Sequence, residues 1–98
     1  MSILHIDSKS LENGAMPRVR IEEFKTAVRR ALQRAEQTTG LDNRIWTLWL
    51  YPEDAGGGQK AICAAIGAGA TFGKEHANTP EALEEGLYRR FLGILDAP

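Results

Sequence analysis

Ile45-Trp46-Thr47-Leu48-Trp49-Leu50-Tyr51 is the stretch whose reading decides the fold. It is aromatic and β-branched, only Thr47 breaks its apolarity, and it is too short for a confident helix, so Arg44–Tyr51 is predicted to be a strand. A strand this apolar is covered on both faces, or it offers one face as an interface. Trp46 and Trp49 have opposite parity along it and so project to opposite faces. Either both tryptophans fill a core, or helices cover one face only and one tryptophan stands on the open face. There it would be a hot spot for a protein partner or a stacking platform for a base.

Downstream, Pro52-Glu53-Asp54-Ala55-Gly56-Gly57-Gly58 combines turn residues with three glycines, the chemistry of a hairpin tip. In Gln59–Phe72 the even positions Ile62, Ala64, Ile66, Ala68, Ala70 and Phe72 alternate with Ala61, Cys63, Ala65, Gly67 and Gly69. Alanine favours helix over strand, so Lys60–Ile66 could form helical turns. A glycine tip between two apolar runs favours a second antiparallel strand, with Gly67 and Gly69 marking a bulge or a close backbone approach. Thr79–Leu95 reads as a helix. Thr79 is a good N-cap and Pro80 suits the first turn. Leu83, Leu87, Phe91, Ile94 and Leu95 form its core stripe. Gly86 and Gly93 share another side, where something packs closely, and Glu85 and Arg89 form an i,i+4 pair.

Upstream, Arg18–Thr39 is the clearest helix. Ile21, Phe24, Val28, Ala31, Leu32 and Ala35 fill one stripe, and Gly40 is placed to cap the C-terminus. Residues 1–17 read as an N-terminal arm in which Ile3, Leu4 and Ile6 could form a short strand. The remainder, 18–98, reads as one α+β domain. The expected architecture is a two-layer sandwich of order (β)-α-β-β-α, with a small antiparallel sheet packed on two helices.

Composition narrows the function. Twelve Lys and Arg against 13 Asp and Glu leave a formal charge of −1. That disfavours a strongly basic nucleic-acid binder and an acidic DNA mimic alike. Hydrophobic residues are 43% and charged residues 26% of the 98, an ordinary globular balance that argues against disorder of the whole chain. No secretion signal or membrane span is recognisable, and a lone cysteine suits a reducing compartment. The expected location is the cytoplasm.

No catalytic constellation survives inspection. Gly67-Ala68-Gly69-Ala70-Thr71-Phe72-Gly73-Lys74 misses both the phosphate-loop and the dinucleotide patterns. Cys63, His5 and His76 are the only soft metal ligands, without the spacing of a structural zinc site. Cys63 lies amid alanine and isoleucine, where burial would raise its pKa and make it inert. His76 reads as a loop residue. No cofactor, metal or enzymatic activity is expected. The first helix is different: Arg18, Arg20, Lys25, Arg29, Arg30 and Arg34 outnumber Glu22, Glu23 and Glu36 on it, and Arg44 follows. Such a face could meet phosphates or an acidic protein surface, or be simply solvated.

The order of amphipathic helix, Trp-rich strand, hairpin and Asn78-Thr79-Pro80-Glu81-Ala82-Leu83 helix start resembles small phage and prophage proteins of the two-layer "ABA sandwich" kind. Over residues 44–95 it is similar to HicB-type antitoxins. It differs from that pattern in its long N-terminal helix and alanine-rich second strand. The resemblance implies a small accessory or inhibitor protein of phage origin, of the anti-CRISPR type, acting in the host cytoplasm. The expected function is therefore a non-enzymatic interaction protein that blocks or modulates a host protein complex. Its candidate contact residues are Arg18, Lys25, Arg29, Arg30, Arg34, Arg44, Trp46 and Trp49. The alternative is a nucleic-acid-binding regulator acting through the basic first helix, and a homodimer is also open.

Overall fold

The Arg18–Thr39 stripe folds as its spacing dictates. A computed structural model describes residues 2–14, 16–56, 59–68 and 71–96, with side chains described outside 54–60 and 68–72. The element order is β1 (Ile3–Asp7), α1 (Lys9–Glu12), α2 (Arg18–Thr39), β2 (Ile45–Gly56), β3 (Gln59–Ala68), β4 (Thr71–Ala77) and α3 (Pro80–Leu95). All six stripe residues of α2 are buried, joined by Ala27. Gly40 ends the helix with φ 74°, a left-handed conformation that glycine adopts without steric cost, and its N–H donates to the Glu36 carbonyl. At α3 the Thr79 hydroxyl accepts a hydrogen bond from Ala82 N at 3.2 Å, and Pro80 opens the first turn.

The four strands lie in the order β1-β2-β3-β4. The α+β class stands, but the sheet is mixed rather than antiparallel. β1 pairs parallel with β2, Ile3 against Ile45 through Asp7 against Trp49. The chain reaches that register because the α1–α2 segment carries it back between the two strands, as a parallel connection requires. The strand in the N-terminal arm thus belongs to the sheet, and Leu4 and Ile6 pack against the core.

β2 is longer than the apolar run and continues through Pro52 to Gly56. Its pairing with β1 ends at Trp49, so Pro52 sits where β2 has an unpaired side, and a missing N–H need break no ladder bond there. Gly56 pairs with Gln59. The tip glycines 57 and 58 lie outside the described residues, as does Gly69.

The alanine-rich segment is a strand, not helical turns. It is paired on both sides along most of its length, to β2 and to β4. Those two ladders outweigh the small helix preference of alanine. β4 has no counterpart in the expected architecture. Residues 73–77 carry charge and polarity, so the apolar alternation that signals a strand is missing, and the reading of His76 as a loop residue is corrected. β4 is an edge strand, where charged side chains are at home.

Both long helices cover one face of the sheet. Trp46, Leu48 and Leu50 of β2, and Ile62, Ala64 and Ile66 of β3, meet Phe24, Val28, Leu32, Leu83, Leu87 and Phe91 in one core. Trp46 meets Phe91 edge to face, with centroids 4.9 Å apart and planes at 81°. Its Nε1 has no hydrogen-bond partner among the described residues. Arg34 of α2 clamps α3: its Nη1 lies 2.8 Å from Glu84 and 2.7 Å from Glu85, and its guanidinium stacks 4.3 Å over Tyr88. Glu85 is thereby engaged across the helices, where the sequence suggests a pair with Arg89. The two glycines of α3 part company. A Cβ on Gly86 would come 2.5 Å from Glu75, whereas Gly93 has nothing within 4 Å. No described helix is long and apolar enough to cross a membrane.

Candidate functional site

Neither long helix covers the second face of the sheet, which the short α1 reaches at its margin through Lys9 and Ser10, and strand alternation decides what it displays. Pairing aligns the side chains in rows: Ile3 with Ile45; Asp7 with Trp49, Ala65 and Lys74; Tyr51 with Cys63 and His76; and Glu53 with Ala61. Among the described side chains, β3 contributes small groups here, Ala61, Cys63, Ala65 and Gly67. These form a floor between the larger side chains of β2 and β4, and Ala61, Cys63 and Ala65 are buried.

Trp49 stands on this face, 41% exposed, while Trp46 is fully buried on the other. Of the two tryptophans singled out in the sequence, only Trp49 can touch a partner. Its ring lies over Gly67, where a Cβ would meet Cζ3 at 3.5 Å. Ile3 and Ile45 are also exposed on this face, 50% and 64%, beyond the row of His5 and Thr47. Beside Trp49 runs a shallow groove of about 400 Å³, lined by Asp7, Lys9, Ser10, Tyr51, Ala65 and Lys74.

At the centre of the face Cys63 is flanked by Tyr51 and His76 on its neighbouring strands. His76 Nδ1 lies 2.7 Å from Glu53 Oε2. One ligating atom each from Glu53, Cys63 and His76 falls within 4.8 Å of the other two. Burial pushes the Cys63 thiol pKa up, and nearby Glu53 adds to the rise; hydrogen bonding to Tyr51 and the charge of Lys74 oppose it. The Tyr51 hydroxyl is raised mainly by its hydrogen bond with Cys63, then by burial, with Lys74 acting the other way. Such a thiol is held protonated and is a poor nucleophile.

The cations of α2 belong to the other layer and do not join this face. Arg34 is engaged by Glu84 and Glu85. Lys25 pairs with Glu22 at 3.7 Å. Arg18, Arg29 and Arg30 are exposed, and among the described residues no carboxylate pairs with them; Arg44 is half-buried just before β2. Sequence reasoning missed Glu53, Tyr51, Lys74 and His76 as neighbours of Cys63. The signal that could have found them is the period-two offset of Lys74 and His76, usable only once β4 is known to be a strand.

Set against models of protein families, curated proteins and solved structures, the chain finds no match in any of the three.

Proposed function

We propose that the protein is a non-enzymatic interaction protein that docks a protein partner on the open face of its sheet. One observation carries the reading: Trp49 is held 41% exposed on the sheet face that neither long helix covers, over a floor of small residues. A large aromatic beside a shallow depression, rimmed by polar groups, has the anatomy of an interface centre. Ile3 and Ile45 add exposed apolar groups on the same face, and Asp7, Lys9 and Lys74 supply the rim. The partner is a protein surface that offers an apolar side chain to this depression. An inhibitor or modulator of a host complex, as the resemblance to small phage proteins implies, would act through this contact.

The test is affinity capture from host lysate with wild type, Trp49→Ala, Ile45→Ser and Arg29→Glu/Arg30→Glu as baits, each checked for folding by circular dichroism. The expected prey is retained by the arginine variant and lost from the other two. A prey lost only from the arginine variant, or a salt-sensitive gel shift with DNA or RNA that the same variant abolishes, would move the function to α2 and overturn the proposal.

A further inference from the structure

We propose that Glu53, Cys63 and His76, brought together from β2, β3 and β4, form a binding site for a zinc-class divalent cation. The inference stands apart from protein docking and needs no partner. Thiolate, imidazole and carboxylate are the three side-chain ligand types that zinc accepts. The thiolate and imidazole select borderline-soft ions over magnesium or calcium, which take oxygen ligands.

The geometry needs little adjustment. Zinc bond lengths place ligand atoms of a tetrahedral site about 3.3–3.6 Å apart, and here the three lie within 4.8 Å of one another. The contact between His76 Nδ1 and Glu53 Oε2, 2.7 Å long, must open slightly. Both side chains can do this, since they are 51% and 43% exposed. Cys63 is fixed at the floor by β3, paired on both sides, so the rigid ligand is the sulfur and the adjustable ones are at the surface. The cation takes the place between Nδ1 and the carboxylate, and the neutral imidazole ligates through Nδ1 with its single proton on Nε2. The Cys63 thiol loses its proton to solvent, so one proton is released per ion bound. With three protein ligands and two of them exposed, the fourth position faces water, the arrangement of an open zinc site.

The experiment is a titration of the tag-free, reduced, full-length protein with Co²⁺, then back-titration with Zn²⁺, with Mg²⁺ as a control. The expected result is one ion per chain, with a thiolate-to-cobalt charge-transfer band and tetrahedral visible bands that zinc abolishes and magnesium does not. Removing groups that merely support metal ligands costs about 10–100-fold in affinity, so Cys63→Ala, His76→Gln and Glu53→Gln should each weaken binding at least about tenfold. His76 and Glu53 are surface residues, so their variants remain informative if Cys63→Ala is unstable. Absence of a charge-transfer band at micromolar protein, or a band undiminished in His76→Gln, overturns the site. Loss of the partner contact in Trp49→Ala with cobalt binding intact would separate the two proposals.

Discussion

The ring of Trp49 rests on the backbone of Gly67, close enough that an added Cβ would sit 3.5 Å from Cζ3. That spacing is ordinary van der Waals contact, so Gly67→Ala should leave the indole in place. A branched side chain would not fit beneath it. In a Trp46→Phe background, where Trp49 is the sole tryptophan, Gly67→Val is expected to shift the fluorescence to longer wavelength as the ring lifts into water. Identical spectra with glycine, alanine and valine at this position would show that the ring does not rest there.

The two tryptophans should differ in their contribution to stability. Trp46 is fully buried against Phe91, and its truncation to alanine is expected to cost about 3–5 kcal/mol. Trp49 lies 41% exposed, so Trp49→Ala should cost less than about 2 kcal/mol. Urea unfolding monitored by circular dichroism measures both, and comparable losses would contradict the assignment of faces.

Gly86 and Gly93 make a paired test. Replacing glycine by alanine inside a helix stabilises by about 0.5–1 kcal/mol where space allows. Gly93→Ala meets nothing within 4 Å and should raise the melting temperature. Gly86→Ala drives a methyl group into Glu75, whose carboxylate holds Arg90 Nε at 3.0 Å. That substitution is expected to give no gain or a loss, and a double variant Gly86→Ala/Glu75→Ala should recover part of the helix benefit.

The raised Cys63 thiol makes stability depend on alkaline pH in metal-free protein. Burial lifts its pKa above the ordinary 9.0, so the folded chain keeps a proton that the unfolded chain releases. Stability from this group is complete below pH 9.0 and is lost as pH rises above it through the folded pKa. Tyr51, lifted above 10.0, adds to the loss at higher pH. Cys63→Ala removes the thiol and its hydrogen bond to Tyr51, so its stability should fall less steeply above pH 9. Urea midpoints from neutral to alkaline pH decide this; parallel curves would refute it. In the native wild type, thiol reagents should label Cys63 only as fast as the sheet opens.

Arg34 joins α2 to α3 through two carboxylates and the Tyr88 ring. Arg34→Glu sets three acids together and should lower the melting temperature, more at low salt than at high salt. Arg34→Lys should restore part of the loss, since it keeps the charge without the guanidinium's stacking. A melting temperature indifferent to Arg34→Glu at low salt would show that the clamp contributes nothing.

Much of this protein follows from local sequence. The six-residue stripe of Arg18–Thr39, Gly40 at its end, Thr79-Pro80 at the start of α3 and the aromatic run of β2 are signals carried within one element. Each acts through contacts a few residues apart, so periodicity and capping chemistry suffice to read them. The opposite parity of Trp46 and Trp49 belongs here too, because alternation is a property of any strand. Which tryptophan faces water was a tertiary decision, made by the two helices covering the Trp46 side. The same holds for β3, whose alanines take strand geometry because two neighbours supply ladders, and for β4, whose polar residues carry no apolar alternation. The cluster of Glu53, Cys63 and His76 spans 24 positions from first to last and exists only through the register of three strands. No spacing in the sequence encodes that register; it is set by which side chains the core could bury.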